Sequence, residues 1–336
     1  MRKALITGCT GQDGWYLANL LAEKGYEVHA HSRSGADIDG AHAAYAGDLA
    51  DPEQIRTIID AAKPDEIYNL CSLSRPQMSW EQPLNAGLVN ALMPHQLFEH
   101  VRQQLPQCRV FQATSSEIFG DTTEVPQSET TVPMPQTPYG IAKLYSHQMA
   151  GAYRRHYGLF VCSGILFNHE SPRRPLSFVS QKIAYAAACL SLGISTSQAT
   201  DERGAPIVDN GMLYLGNMDV RRDFGFAGDY VEAMWLMLQQ EQPRDYVIGT
   251  GESHSIQEFC QTAFAIAGLD WKAYVRSAPD LVRAVDSRRT IANPQRARSE
   301  LNWVPRTSFE DLVRHMVETQ IEALRSHPTA SVGALR

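Results

Sequence analysis

The chain has 336 residues, 43% of them hydrophobic and 20% charged, with a formal net charge of −7. This is the composition of an ordinary globular protein with room for one large or two moderate domains. Acidic and basic residues are interspersed, which argues against a nucleic-acid or membrane-surface binder, and no apolar run approaches the ~18 residues of a membrane span.

In chain order, Arg2–Thr7 reads as a strand and Asp13–Lys24 as a helix with Tyr16, Leu17, Leu20 and Leu21 on one side. Glu27–His31 and Ala43–Gly47 are further strands, and Pro52–Ala62 is a helix whose proline suits the first turn. Strands follow at Glu66–Leu70 and Arg109–Ala113, with a helix near Leu84–Leu105 between them. A helix beginning near Tyr139 runs to about His156, and Leu159–Leu166 is the next strand. Alternating β and α over this length predicts an α/β fold with a doubly wound parallel sheet. After Asn168 the pattern loosens into helices at Phe178–Leu192, Phe226–Gln240, Ile256–Ala267 and Phe309–Arg325. Ser255-x-x-Glu258 and Thr307-x-x-Glu310 have capping-box spacing. The polar stretch Ser195–Gly211 is expected as an exposed loop, and the tail Ser326–Arg336 is expected to fray. The N-terminus runs directly into a strand without a signal-peptide pattern. Six cysteines lie scattered without CxxC or metal-ligand spacing. Buried free thiols, no metal site and a cytoplasmic location are therefore expected.

Gly8, Gly11 and Gly14 sit three apart between the first strand and the first helix. This GxxGxxG differs from the GxGxxG fingerprint, but glycines there still allow backbone N–H groups to approach a pyrophosphate at a helix N-terminus. The second strand ends in HAHSRSG, with no carboxylate for a ribose 2′-hydroxyl. Arg33 instead offers a guanidinium to a 2′-phosphate, which favours NADP over NAD. Asp48 is placed after the third strand to accept from the adenine amino group. Tyr139 and Lys143, at i and i+4, share one face of a helix. An ammonium near a phenol favours the phenolate, a usable proton acceptor. Glu117, in QATSSEIFG, supplies a second acid/base group.

These segments, with GILFNHESPRR and LYLGNMDVRRDFGFAGDYVEAMWLMLQQ, resemble the extended short-chain dehydrogenase/reductases, and within them the GDP-mannose 4,6-dehydratase family, nearly end to end. The resemblance implies a Rossmann-type domain over residues 1–168, to which a later part at about 212–250 returns. It implies a smaller C-terminal mixed α/β domain over 169–330 that binds the GDP-sugar. It also implies an internal redox reaction: Tyr139 takes the O4 proton while hydride leaves C4 for NADP, Glu117 removes H5 and helps expel the C6 hydroxyl, and hydride returns to C6. Ser115 would polarise the C4 oxygen, and Lys143 would also hold the nicotinamide ribose. Thr10, Gln12, Asp13, Leu49, Leu70, Ser72, His169 and Arg174 would join Gly8, Gly11, Gly14, Arg33, Asp48, Tyr139 and Lys143 around the cofactor. Ser74, Asn168, Lys182, Arg222, Arg283 and Asp286 would bind the GDP portion or the sugar.

The chain departs from the family pattern at several positions. Ser115 replaces the usual Thr; a hydroxyl remains, but serine is less restrained at χ1 than threonine, so its orientation is looser. Ser34 follows Arg33 where a second Arg is usual, and the loop after it is short, so a homodimer, or a homotetramer closed by contacts other than that loop, is expected. Asp286 stands where Glu is usual, Pro175-Leu176 replaces a Gly-Glu pair, and Arg75 replaces His or Phe. A related GDP-sugar such as GDP-manno-heptose is an alternative substrate. An NADP-dependent 4-ketosugar reductase or epimerase is a remoter alternative that Glu117 argues against, and a non-enzymatic cofactor-binding protein is another.

Overall fold

A computed structural model describes residues 1–35, 40–282 and 290–326. The chain divides into two units, one of Met1–Phe167, Ala227–Gly251 and Ile291–Val304, the other of Asn168–Phe226, Glu252–Thr290 and Pro305–Arg336. In the first unit, β1 (Lys3–Thr7), β2 (Glu27–Ser32), β3 (Ala43–Ala46), β4 (Glu66–Asn69), β5 (Arg109–Ser115) and β6 (Val161–Leu166) join the strand Tyr246–Ile248 in one sheet. From one edge the order is Tyr246–Ile248, β6, β5, β4, β1, β2, β3, with every neighbouring pair parallel. Strands covered by helices on both faces are buried along their whole length, as Ala4–Thr7 of β1 and all of β6 are. The strand order reverses between β1 and β4. In such a sheet ligands bind at the carboxyl ends beside that reversal, where the glycine turn and residues 70–74 emerge.

The helices α1 (Gln12–Glu23), α2 (Pro52–Ala62), α3 (Pro76–Glu81), α4 (Pro83–Gly87), α5 (Met93–Gln104) and α6 (Pro138–Tyr157) belong to the same unit. The single helix expected near Leu84–Leu105 is instead α4, a π-helical turn at Leu88–Leu92 and α5. Pro94 has no N–H to continue the i→i−4 ladder, and a widened turn is one way for a helix to pass such a residue. The edge strand Tyr246–Ile248 is fully buried and three residues long, too short to show a period.

The second unit is built on the helix Val179–Ser191, which packs against Ile256–Ile266 and Phe309–Ser326 around a core that includes Phe224, Phe259, Phe264 and Met316. Asn168–Glu170 pairs in parallel with Phe224–Phe226, and Arg221–Arg222 pairs antiparallel with His254–Ser255. Met212–Leu215 lies between Val208–Asp209 and Val275–Ser277 in a small sheet, which keeps it in this unit until the chain leaves at Ala227. Two expectations are corrected here. Ser195–Gly211 is not simply an exposed loop: Ser197, Ile207 and Val208 are buried, and Val208–Asp209 is a strand. The cap of the last helix is Ser308, one residue later than expected, accepting from Asp311 N at 3.1 Å. The box at Ser255 and Glu258 is present as read. All six cysteines are free and five are buried.

Candidate active site

The glycine turn is set by steric need. Gly8 has φ +70, and a Cβ on it would lie 3.0 Å from the Cα of Cys71. A Cβ on Gly14 would lie 2.4 Å from the Cα of Cys9, so α1 can approach the turn only without one. Thr10 and Gly11 are exposed, and Gly11 begins α1 without a side-chain cap. Gln12 is buried and Asp13 half-buried in the first turn of the helix. A bare turn leading into a helix N-terminus is the geometry that receives a pyrophosphate. Arg33 is exposed at the end of β2, with no ion pair among the described residues. Asp48 is exposed and accepts from Ala50 N at 3.0 Å, while Leu49 beside it is buried.

After β4 the chain is held by two buried polar residues. The amides of Leu70 and Cys71 both donate to Thr7 Oγ1 at 3.1 Å. Ser72 donates to Asn90 Oδ1 at 2.9 Å, and Leu73 N donates to the same oxygen at 3.0 Å. Asn90 lies in the π-helical turn and is fully buried. Ser74, expected to meet substrate, is exposed in the same segment.

The proposed acid/base residues sit at the carboxyl end of β5 and the start of α6. Ser115 ends β5, and its hydroxyl accepts from Glu117 N at 3.2 Å, capping the short 3-10 turn Ser116–Ile118. Thr137 caps α6 by accepting from Gly140 N at 3.0 Å, and Pro138 fills the first helical position. Tyr139 N donates to the buried Ser79 hydroxyl at 3.1 Å, which fixes the entry of the helix from α3. Gly140 is where the two segments meet. A Cβ there would lie 2.6 Å from the backbone oxygen of Glu117, so the glycine lets the Tyr139 turn rest directly on the Glu117 turn.

Lys143 lies one helical turn beyond Tyr139, with its nitrogen 5.8 Å from the Tyr139 ring centroid. It donates to Ala113 O at 2.9 Å. Burial, slightly offset by the nearby Cys71 thiol, pushes Lys143 down to about 8. Lys143 is thus a cation at neutral pH and loses its charge as the pH rises through 8. The same shift has a stability sign. The unfolded chain keeps this proton up to the ordinary lysine value of 10.5, whereas the folded chain releases it near 8. The folded state therefore carries a penalty below pH 8, and stability rises with pH between 8 and 10.5. In protein stripped of nucleotide, Lys143→Met is expected to gain roughly 2–3 kcal/mol at pH 7, and the gain should shrink toward pH 10. Thermal melts across that range check it; a Lys143→Met effect that stays constant with pH would contradict the sign.

In the second unit, the predicted cations are engaged by neighbours. Lys182 is buried on Val179–Ser191 and pairs with Glu202. Arg174 pairs with buried Glu170 at 3.0 Å and lies over the Phe178 ring at 3.6 Å. Arg222 is buried and donates to Arg221 O at 2.9 Å, while Arg221 grips Glu258 at 2.9 and 3.2 Å. Asn168 and His169 lie in the parallel pair with Phe224–Phe226. Arg283 and Asp286 lie outside the described residues. The structure thus brings Ser115, Glu117, Tyr139 and Lys143 together in one unit and Asn168, His169, Arg174, Lys182 and Arg222 within the other. Sequence reasoning passed over Ser79, Asn90 and Gly140. A lone Asn in the apolar run GLVNALM was a usable signal for one of them; Ser79 and Gly140 gave none.

Among the described residues, no group of His, Cys, Asp and Glu is placed to hold a metal ion, and no helix is long and apolar enough to cross a membrane. In comparisons with solved structures, the chain superposes on RMD from Pseudomonas aeruginosa complexed with NADPH (TM-score 0.80, 20% identity, 96% of this chain and 100% of that one). It also superposes on a UDP-glucose 4-epimerase from Thermotoga maritima with UDP-glucose (TM-score 0.81, 22% identity, 96% and 99%). At these identities the likeness establishes the Rossmann-type fold. Relatives by sequence are more specific. GDP-mannose 4,6 dehydratase 1 of Arabidopsis thaliana is 40% identical, covering 98% of this chain and 93% of its own length. The human GDP-mannose 4,6 dehydratase is 38% identical, covering 97% and 93%. The model of the GDP-mannose 4,6 dehydratase family matches residues 5–316, a span that includes the glycine turn, Glu117, Tyr139 and Lys143, and on that match this chain belongs to the GDP-mannose 4,6-dehydratase family.

Proposed function

We propose that the chain converts GDP-mannose to GDP-4-keto-6-deoxymannose by loss of one water, with NADP as an internal redox carrier. The observation that supports this reading is the approach of the Tyr139 turn to the Glu117 turn at Gly140, where a Cβ would lie 2.6 Å from the backbone oxygen of Glu117. NADP fits the residues present: the bare turn at Gly11 suits its pyrophosphate, and exposed Arg33 suits a 2′-phosphate. Bound NADP would supply the redox chemistry, carrying two electrons from C4 to C6 of the same sugar. Tyr139, its phenolate favoured by Lys143, takes the O4 proton, and Ser115 steers that oxygen. Once C4 is a ketone, H5 is acidic enough for Glu117 to remove. Glu117 then gives a proton to the departing C6 hydroxyl, which leaves as water. The proton counts close, because the one released from O4 is matched by the one taken up at C5. Asn168, Lys182, Arg222, Arg283 and Asp286 are the proposed GDP-sugar contacts, and His169 and Arg174 the further cofactor contacts.

Purified protein incubated with GDP-mannose, GDP-manno-heptose, UDP-glucose and dTDP-glucose, without added nucleotide, should remove one water from GDP-mannose. The nucleotide freed on denaturation should have the mass of NADP. No water loss from any GDP-sugar would sink the reading, and loss from the heptose alone would move it to that substrate.

The same reading includes a homodimer and a cytoplasmic location, the latter supported by the six free cysteines. Trp80, Leu84, Leu88 and Leu92 are exposed on α3, α4 and the π-helical turn, all of which pack against α6 with its exposed Ile141 and Tyr145. An apolar stripe of this kind on a water-facing surface fits a second copy of the chain. Sedimentation should give a dimer for the native chain and a monomer for Trp80→Glu/Leu84→Glu; a native monomer would contradict it.

A further inference from the structure

A line of buried polar side chains crosses the sheet beneath the strand-order reversal. Thr7 Oγ1 receives the amides of Leu70 and Cys71 and donates to Asn69 Oδ1 at 2.7 Å. Asn69 Nδ2 donates to Gln112 Oε1 at 2.8 Å, and Gln112 Nε2 donates to Ala113 O at 3.0 Å. Ala113 O is the same oxygen that receives Lys143 Nζ at 2.9 Å. Thr7, Asn69 and Gln112 are 2%, 0% and 1% exposed. The ladder between β4 and β5 ends at Asn69 and Gln112, while that between β5 and β6 continues to Ser115 and Leu166. Ala113 therefore lies just past the point where β4 leaves the sheet.

We propose that Gln112 is a positioning residue for Lys143, fixing where the ammonium stands by occupying one side of the carbonyl they share. A carbonyl oxygen has two lone pairs. With the Gln112 amide on one, the long lysine side chain has one direction left, along the helix face that carries Tyr139. The Thr7–Asn69 line holds the amide itself, so the arrangement does not depend on a freely turning glutamine. The inference rests on the reading of Lys143 as catalytic.

The titratable groups around Lys143 are few among the described residues. Tyr139 is on its own helix, and Cys71 faces it from beyond β4. Arg33 and Asp48 act on Cys71. His147, one turn further along α6, is engaged with Ser163, which also pairs with Thr114.

The test compares Gln112→Glu and Gln112→Met in the nucleotide-loaded enzyme. The titration of Lys143 is read by carbon NMR on lysine-labelled protein, assigned by the signal lost in Lys143→Met. Turnover of GDP-mannose is followed against pH. The Glu variant keeps an acceptor for Asn69 but turns an oxygen toward the ammonium. Its Lys143 midpoint should rise by about one unit or more, and the alkaline limb of kcat should move with it. The Met variant removes the amide, and kcat should fall roughly tenfold with KM little changed. A folded Glu variant with an unmoved Lys143 midpoint would overturn the proposal, as would a Met variant with full kcat. If the Glu variant fails to fold, the Met variant decides alone. Full turnover by Lys143→Met would instead overturn the catalytic reading of Lys143, while the NMR midpoints still report on Gln112.

Discussion

Glu117→Gln is expected to lower the rate of water loss from GDP-mannose by about three orders of magnitude, within the range of a lost general acid/base group. The substitution keeps the size and shape of the side chain. It also keeps the backbone N–H that donates to Ser115 Oγ, so the cap on the 3-10 turn survives. Folding and nucleotide binding should therefore be unchanged, with the loss falling on kcat and KM moving less than about threefold. Gln cannot take up H5, so exchange of that position with solvent deuterium should stop together with elimination. Product mass and deuterium content read both effects in one reaction. A Gln variant that dehydrates at the native rate would show that another group removes H5.

Gly140→Ala is the second large effect. Alanine in place of glycine inside a helix normally adds about 1 kcal/mol of stability. Here the new methyl would lie 2.6 Å from the backbone oxygen of Glu117, and a backbone oxygen cannot swing aside as a flexible side-chain tip can. Overpacking of that kind costs about 1–3 kcal/mol, so the propensity gain is outweighed and the melting temperature should fall. The larger consequence is chemical. Relief of the contact separates the Tyr139 turn from the Glu117 turn, and a displacement of about 1 Å at reacting groups costs roughly a hundredfold in rate. Steady-state kinetics with a thermal melt test both parts. A variant with native kcat would show that the two turns need not touch.

The parallel sheet was legible because buried β runs and amphipathic helices alternate cleanly as far as Leu166, and the i, i+4 spacing of Tyr139 and Lys143 survives into the fold. The three-residue strand Tyr246–Ile248 was not legible, since a run that short has no period and its place is decided by pairing with β6. Ser195–Gly211 was read only in part, because polar composition says nothing of the strand that Val208–Asp209 forms with Met212–Leu215. The last helix cap was misplaced by one because Thr307 and Ser308 are both competent caps, and the sequence pattern does not choose between them. Within the site, the proposed acid/base residues could be picked out by type and spacing. Their supports did not: Ser79 receives Tyr139 N from another helix, and Gly140 matters only because a distant carbonyl comes to rest on it. Such roles arise from tertiary approach and leave no local pattern.

GDP-mannose carrying deuterium at C4 tests most directly whether one site oxidises C4, eliminates water and reduces C6 of the same sugar. The product is expected to have lost one water and to carry that deuterium at C6, transferred within a single molecule when labelled and unlabelled substrates are mixed. Deuterium found in solvent or on the C6 of unlabelled molecules, or a product that has lost no water, would contradict the account.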